Sequence, residues 1–398
     1  MKHLSVTDRH SMTRFLQELI RTPSLSHQEG DVARRIAAEM RDVGFSDVCI
    51  DRVGNVIGRV GGPEGHPRLL YNGHMDTVGP GDLSAWERDP FSGESGGGVI
   101  YGRGACDMKG ALAAMVYGAK LLIDGHVSLS GPLYVVGIAQ EEPCEGLAMR
   151  ILVEEEGIRP DFVVLGEATN LQISRGQRGR MEIKITTKGR ACHGSAPQHG
   201  INAIYKAARL IRRIEMMADE LPEHPFLGRA TLAVTFIENT GGSRNVVPDS
   251  CSFYIDRRLV LGETEESVLA PLQELAREEG IDADVEVTHH ASKSWTGYEC
   301  HTPEFYPAWL IDEDHPLVSA AVSAVEEALG ITPGVGKWDF STDGVYSQGT
   351  AGIPTIGFGP GEEKYAHTVD EQIRLDDVAA AAEVYAQLAV NILGGREQ

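Results

Sequence analysis

Near residue 180 the rhythm of the chain changes, and after Trp295 it changes back. In between, Met181 to Thr187 alternates, the spacing predicts a helix from Asn202 to Met217, and strands follow at Thr231 to Ile237 and Cys251 to Arg257. A helix near Glu265 to Glu279 and a strand at Asp284 to Thr288 complete the set. The order β-α-β-β-α-β is that of the split βαβ sandwich, a self-contained unit of roughly 110 residues. A unit of that kind has its own core, so the chain on either side of it must meet around it.

Outside this segment strands alternate with helices. Leu16, Leu19 and Ile20, then Val32, Ile36, Ala37 and Met40, predict two amphipathic helices separated by Thr22-Pro23-Ser24. Apolar strands are expected at Val56 to Val60, Leu69 to Tyr71, Leu133 to Ala139 and Phe162 to Leu165, with a helix from about Lys109 to Ile123. After the interruption a strand at Thr355 to Gly359 and an Ala-rich helix from Leu375 to Leu393 resume the pattern. The expected fold is therefore α/β: a discontinuous large domain over 1–177 and 295–398, with a ferredoxin-like α+β domain inserted at 178–294. A length of 398 residues agrees with two domains.

Charge and cysteine usage narrow the function classes. Asp and Glu number 58 against 36 Lys and Arg, a net charge of −22 that repels polyphosphate and disfavours nucleic acid as a partner. Apolar runs are strand-length, and Met1-Lys2-His3-Leu4 leads into polar sequence, so neither a membrane span nor a signal peptide is expected. Six scattered cysteines without a CxxC pair predict a reducing cytoplasm.

Acids and histidines recur where open α/β sheets bind their ligands, at strand ends. Tyr71-Asn72-Gly73-His74-Met75-Asp76 places an imidazole beside a carboxylate able to set its tautomer. In Gly102-Arg103-Gly104-Ala105-Cys106-Asp107, the aspartate taken alone reads as a helix cap. Gln140-Glu141-Glu142 follows a buried strand, and adjacent carboxylates there repel unless a cation compensates them. Glu167 ends the next strand and His367 lies beyond Gly359-Pro360-Gly361. Together the set has the ligand chemistry of a dimetal site.

The order His74-x-Asp76, Asp107, Glu141-Glu142, Glu167, His367 around an inserted sandwich resembles the M20 family of metallopeptidases and amidohydrolases over essentially the whole chain. Gln177-Arg178-Gly179-Arg180-Met181-Glu182, Ser294-Trp295-Thr296-Gly297, Lys337-Trp338 and Phe340-Ser341-Thr342 resemble its selenium-metabolism-linked YgeY-like branch. The resemblance implies that His74 and Glu167 hold one metal, Glu142 and His367 the other, and Asp107 bridges both, the ions being zinc, or cobalt or manganese. It implies that Asp76 orients His74, that Glu141 is the general base, and that the Asp107-Met108 peptide is cis. Asp370 departs from the family, which often has Asn there.

In the inserted domain, Cys192-His193-Gly194-Ser195 matches the family's lid histidine, which implies that His193 polarises the scissile carbonyl of a partner subunit in a homodimer. Asn245 and Arg258 match the groups that bind a substrate carboxylate, although the sequence leaves Arg257 open as the arginine concerned. Hinges are expected around Gly176 to Gly179 and Ser292 to Trp295. The expected activity is hydrolysis of an amide, peptide or ureido C–N bond in a small carboxylate-bearing molecule. Two competing classes are a metal-free cysteine hydrolase using Cys106 or Cys192, and a non-catalytic binding protein on the same scaffold.

Overall fold

Successive side chains of a strand point to opposite faces, and in the large sheet both faces are buried. Leu69, Tyr71, Val135 and Val164 pack into one apolar cluster, whereas Leu70, Val136, Val163 and Leu165 pack into another on the reverse side. This double burial explains why these strands read as continuous apolar runs. The computed structural model describes residues 3–394.

The large sheet is mixed and has nine strands. Leu69–His74 lies between Leu133–Ile138 and Phe162–Leu165, parallel to both, and Thr355–Gly357 runs parallel to Phe162–Leu165. Helices Val6–Arg21, Gly30–Asp42, Gly110–Asp124, Pro316–Leu329 and Leu375–Leu393 supply the first cluster, and Leu147–Glu154 supplies the second. Each expected helix of this layer is present. Strands such as Ile173–Gln177 and Val335–Trp338 carry no apolar run, which is why composition did not announce them.

The second sheet has Thr231–Asn239, Ser250–Leu259, Gly179–Lys188 and Ala283–Val287 in that spatial order, all antiparallel, with Phe305–Tyr306 added against Gly179–Lys188. Helices Ala203–Met217 and Glu265–Glu278 cover one face, where Met181, Ile183, Ile185, Phe253 and Ile255 meet Leu210, Ile214, Leu272 and Leu275. The opposite face carries polar residues and no helix. Thr231–Asn239 is an edge strand whose Phe236 and Ile237 are exposed. Among the described residues no helix is long and apolar enough to cross a membrane.

Phe253 is fully buried at the centre of the smaller core. Phe253→Ala is expected to destabilise the protein by about 3–5 kcal/mol, through lost burial plus the cavity left behind, as measured by urea unfolding.

Candidate metal centre

Register brings the candidate residues together. Because His74 stands opposite Ile138, and Asn72 opposite Leu165, three parallel strands end side by side. Glu141 and Glu142 follow the end of one neighbour and Glu167 the end of the other. Asp107 precedes the helix Gly110–Asp124, and the Asp107-Met108 peptide is cis. His367 comes from the loop after Thr355–Gly357.

At the centre, His74 Nε2 lies 2.9 Å from Asp107 Oδ1 and 3.6 Å from Glu167 Oε1. His367 Nε2 lies 3.2 Å from Asp107 Oδ2 and 3.0 Å from Glu142 Oε2. The two Asp107 oxygens thus face different histidines. Donor atoms of His74, Glu141 and Glu167 fall within 4.8 Å of one another, and so do those of His74, Asp107 and Glu142. Four carboxylates and two imidazoles converge, so even two protonated histidines leave an acidic excess.

The protonation energetics record this crowding. Burial pushes the Glu167 carboxyl up to about 8, with Asp107 and Glu142 adding repulsion against the relief offered by His74. Burial likewise raises Glu141 well above the carboxylate range, opposed by His74 and reinforced by Glu167. For His74 burial favours the neutral ring, yet Glu167 and Asp107 outweigh it and hold the imidazolium well above its usual range. Hydrogen bonds donated by the His367 ring to the Asp107 and Glu142 carboxylates lift its pKa to about 10. Such a site is short of positive charge, and divalent cations held by carboxylate oxygen and imidazole nitrogen supply it. Glu141 Oε1 is buried and has no hydrogen-bond partner, so one carboxylate oxygen of a residue lining the site is unsatisfied by the protein.

A second ring of contacts fixes the cluster. His74 Nδ1–H donates to the main-chain carbonyl of Asp76 at 2.8 Å, leaving Nε2 to face Asp107 and Glu167. The Asp76 carboxylate accepts the N–H groups of Glu141 at 3.0 Å and Glu142 at 3.2 Å and the Ser26 hydroxyl at 2.7 Å. It therefore shapes the Glu141-Glu142 loop, while its main chain sets the His74 ring. Glu371, not singled out by the sequence pattern, accepts the N–H groups of Cys106 at 3.0 Å and Asp107 at 3.1 Å and pairs with buried Arg103 at 2.6 Å. Its neighbour Asp370 is exposed. The available signal was Arg103, a cation in a Gly-rich turn that needs an anion if buried.

The cluster lies in a cavity of about 370 Å³ that Arg258, Arg180, Glu145, Phe340 and Ser341 also line. Arg257 points the other way, into the small core, where it pairs with Glu263. His193 and Asn245 stand close together, since Cys192–His193 pairs with Val246–Val247, but both are exposed and neither lines the cavity. His193 Nδ1 accepts from the Ser195 hydroxyl at 2.7 Å. Cys106 is buried, its thiol pKa raised by burial and by Glu371, and it donates to the Glu362 carbonyl rather than facing a base. Cys192 donates to the Ala196 carbonyl. Trp338 is packed in the second core and donates to the Ala168 carbonyl.

A doubly wound sheet with acids and histidines at its strand ends, joined to an antiparallel sandwich, defines a metallopeptidase fold of the M20 type. The chain belongs to peptidase family M20/M25/M40, whose pattern matches residues 70–391. It is 43% identical over 383 residues to the protein YgeY of Escherichia coli (strain K12), covering 96% of this chain and 94% of that one. It is 28% identical over 395 residues to succinyl-diaminopimelate desuccinylase of Methylocella silvestris, covering 95% and 97%. In fold it matches the Bacillus subtilis YXEP protein, a dinuclear metal binding peptidase, with a TM-score of 0.73 and 16% identity, covering 98% and 99%.

Glu371→Gln keeps the shape but removes the charge opposite Arg103. The expected result is a loss of about 3–5 kcal/mol in stability, because a buried guanidinium is left uncompensated. Zinc affinity is expected to fall about 10- to 100-fold as the acceptor holding the Asp107 N–H loses its charge, measured by unfolding and by metal titration.

Proposed function

We propose that this protein is a dimetal hydrolase that cleaves an amide, peptide or ureido C–N bond in a small molecule carrying a carboxylate. The observation carrying this reading is the buried, unpartnered Glu141 Oε1 beside a convergent set of imidazole and carboxylate ligands. His74 and Glu167 would hold one ion, Glu142 and His367 the other, with Asp107 between them. The mixed nitrogen and oxygen donors suit zinc, cobalt or manganese. Two such ions, when bound, lower the pKa of a water and polarise the substrate carbonyl.

The chain's own groups do the rest. Glu141 takes the water's proton on Oε1 and returns it to the leaving nitrogen, a task suited to a carboxyl whose burial raises its pKa. Arg258, on the cavity wall, grips the substrate carboxylate. His193 and Asn245 complete the site of a second copy, where His193 stabilises the developing oxyanion. Exposure of both residues away from their own cavity supports that role in trans. Residues 178–294, with Phe305–Tyr306 added to their sheet, form the lid and dimerisation domain, and residues 1–177 with the remainder of 295–398 form the catalytic domain. The edge strand with exposed Phe236 and Ile237 supports self-association. Six unpaired cysteines support a cytoplasmic setting.

Glu141→Ala is expected to retain two metals by elemental analysis while losing at least ~100-fold in turnover against N-acyl amino acids, dipeptides and ureido acids. Near-normal turnover would end the assignment of the base. Mixing inactive His193→Ala with inactive Glu141→Ala under subunit exchange is expected to restore up to about half of the activity per mixed dimer, because one composite site is then intact. Confirmed exchange without recovery would place His193 in its own subunit's site or outside catalysis.

A further inference from the structure

The residue before the proposed base is held by two separate parts of the chain. Gln140 is buried and sits at φ 59°, a left-handed conformation that a residue with a side chain adopts only when its surroundings impose it. Its main-chain N–H donates to Glu29 Oε1 at 3.1 Å, at the start of helix Gly30–Asp42. Its side-chain carbonyl accepts from the Ser292 hydroxyl at 2.9 Å, and Ser292 in turn accepts from His290 Nε2 at 2.9 Å.

Ser292 and His290 belong to a hairpin, His289–Lys293 paired with Glu299–Pro303, that joins neither main sheet. The hairpin is rooted in the smaller sheet: Thr288 N donates to the Glu182 carbonyl, Glu182 N donates to the Glu304 carbonyl, and Phe305–Tyr306 then pairs with the same strand. Its tip is bound to the large domain. Trp295 Nε1 donates to the Gly54 carbonyl at 3.3 Å, and the Thr296 hydroxyl donates to that of Arg52 at 2.6 Å. A Cβ on Gly54, which has φ +106°, would lie 2.1 Å from the Trp295 indole nitrogen. The segment Ser292 to Trp295, expected to be a hinge, is thus one of the points where the two parts are fastened together.

We propose that Ser292 and Gln140 are positioning residues, and that the hairpin 289–303 is a clasp by which the smaller sheet sets the pose of Glu141. This rests on the reading of Glu141 as base. The geometry is direct: Gln140 is bonded to Glu141, whose N–H is pinned by Asp76, so the turn Gln140-Glu141 has one anchor on each side. Neither Ser292 nor His290 lines the cavity, so the clasp acts through the loop and not on substrate.

The test compares Ser292→Ala with Ser292→Thr, which keeps a hydroxyl on a strand position. In the panel substrate with the highest wild-type kcat/KM, Ser292→Ala is expected to lower kcat about 10-fold with KM within about twofold, and Ser292→Thr to restore most of kcat. Metal content should stay at the wild-type level. Hydrogen exchange, which needs no substrate, is expected to speed up at 140–144 in Ser292→Ala and to stay unchanged around Asp107. A KM change alone, unchanged kcat, or exchange at 140–144 equal to wild type would overturn the clasp. Full activity in Glu141→Ala would instead overturn the base, and the exchange result would still report on the clasp.

Discussion

The whole arrangement depends on concentrating like charge where water cannot screen it. Asp107, Glu141, Glu142 and Glu167 converge on two histidines at the ends of parallel strands, and burial pushes the Glu141 and Glu167 carboxyls toward the neutral form. A set of this kind keeps its geometry only if the backbone leaves it no escape. Hydrogen bonds to main-chain groups provide that constraint: Asp76 holds the Glu141-Glu142 loop, and Glu371 holds Cys106 and Asp107. Ordering the ligands in advance is what lets a cation bind without first reorganising the fold.

The two sheets divide the work by their faces. Both faces of the large sheet's central strands are buried, and the ligands collect at the strand ends. The small sheet buries one face under helices and turns the other toward the cavity, carrying Arg180 and Arg258 as direct cross-strand neighbours. Such a like-charged pair would be unfavourable on an isolated sheet. Glu145 and Glu182 pair with Arg180, and Asp256 with Arg258, so the pair is tolerated and the guanidiniums are held in place. The hairpin 289–303 ties these two layers together at the residue preceding Glu141.

Much of this was legible in the chain. The alternating and continuous apolar patterns marked the central strands, the helices and the β-α-β-β-α-β insertion, because burial on one face or two leaves a local signature in sequence. Acids and histidines at strand ends stood out from the pattern, and the resemblance to the M20 family singled out His74, Asp107, Glu142, Glu167 and His367 among them as the implied ligands. Strand parity also separates the two arginines between which the sequence left a choice. Phe253, Ile255, Arg257 and Leu259 share the core face of Ser250–Leu259, which sends Arg258 to the other side.

The sequence by itself determined which elements form and which acids and histidines stand at their ends, since both follow from periodicities spanning a few residues. Only the tertiary structure decided the rest. That the Asp76 carboxylate pins the N–H of Glu141, that Glu371 supports Asp107 across more than two hundred positions of chain, and that Ser292 reaches Gln140 are long-range contacts. The same holds for the exposure of His193 and Asn245 outside their own cavity, which depends on how one sheet is set against the other. A hydrogen bond between distant residues leaves no period in the chain; it exists only once the strands are in register and the loops between them have been closed.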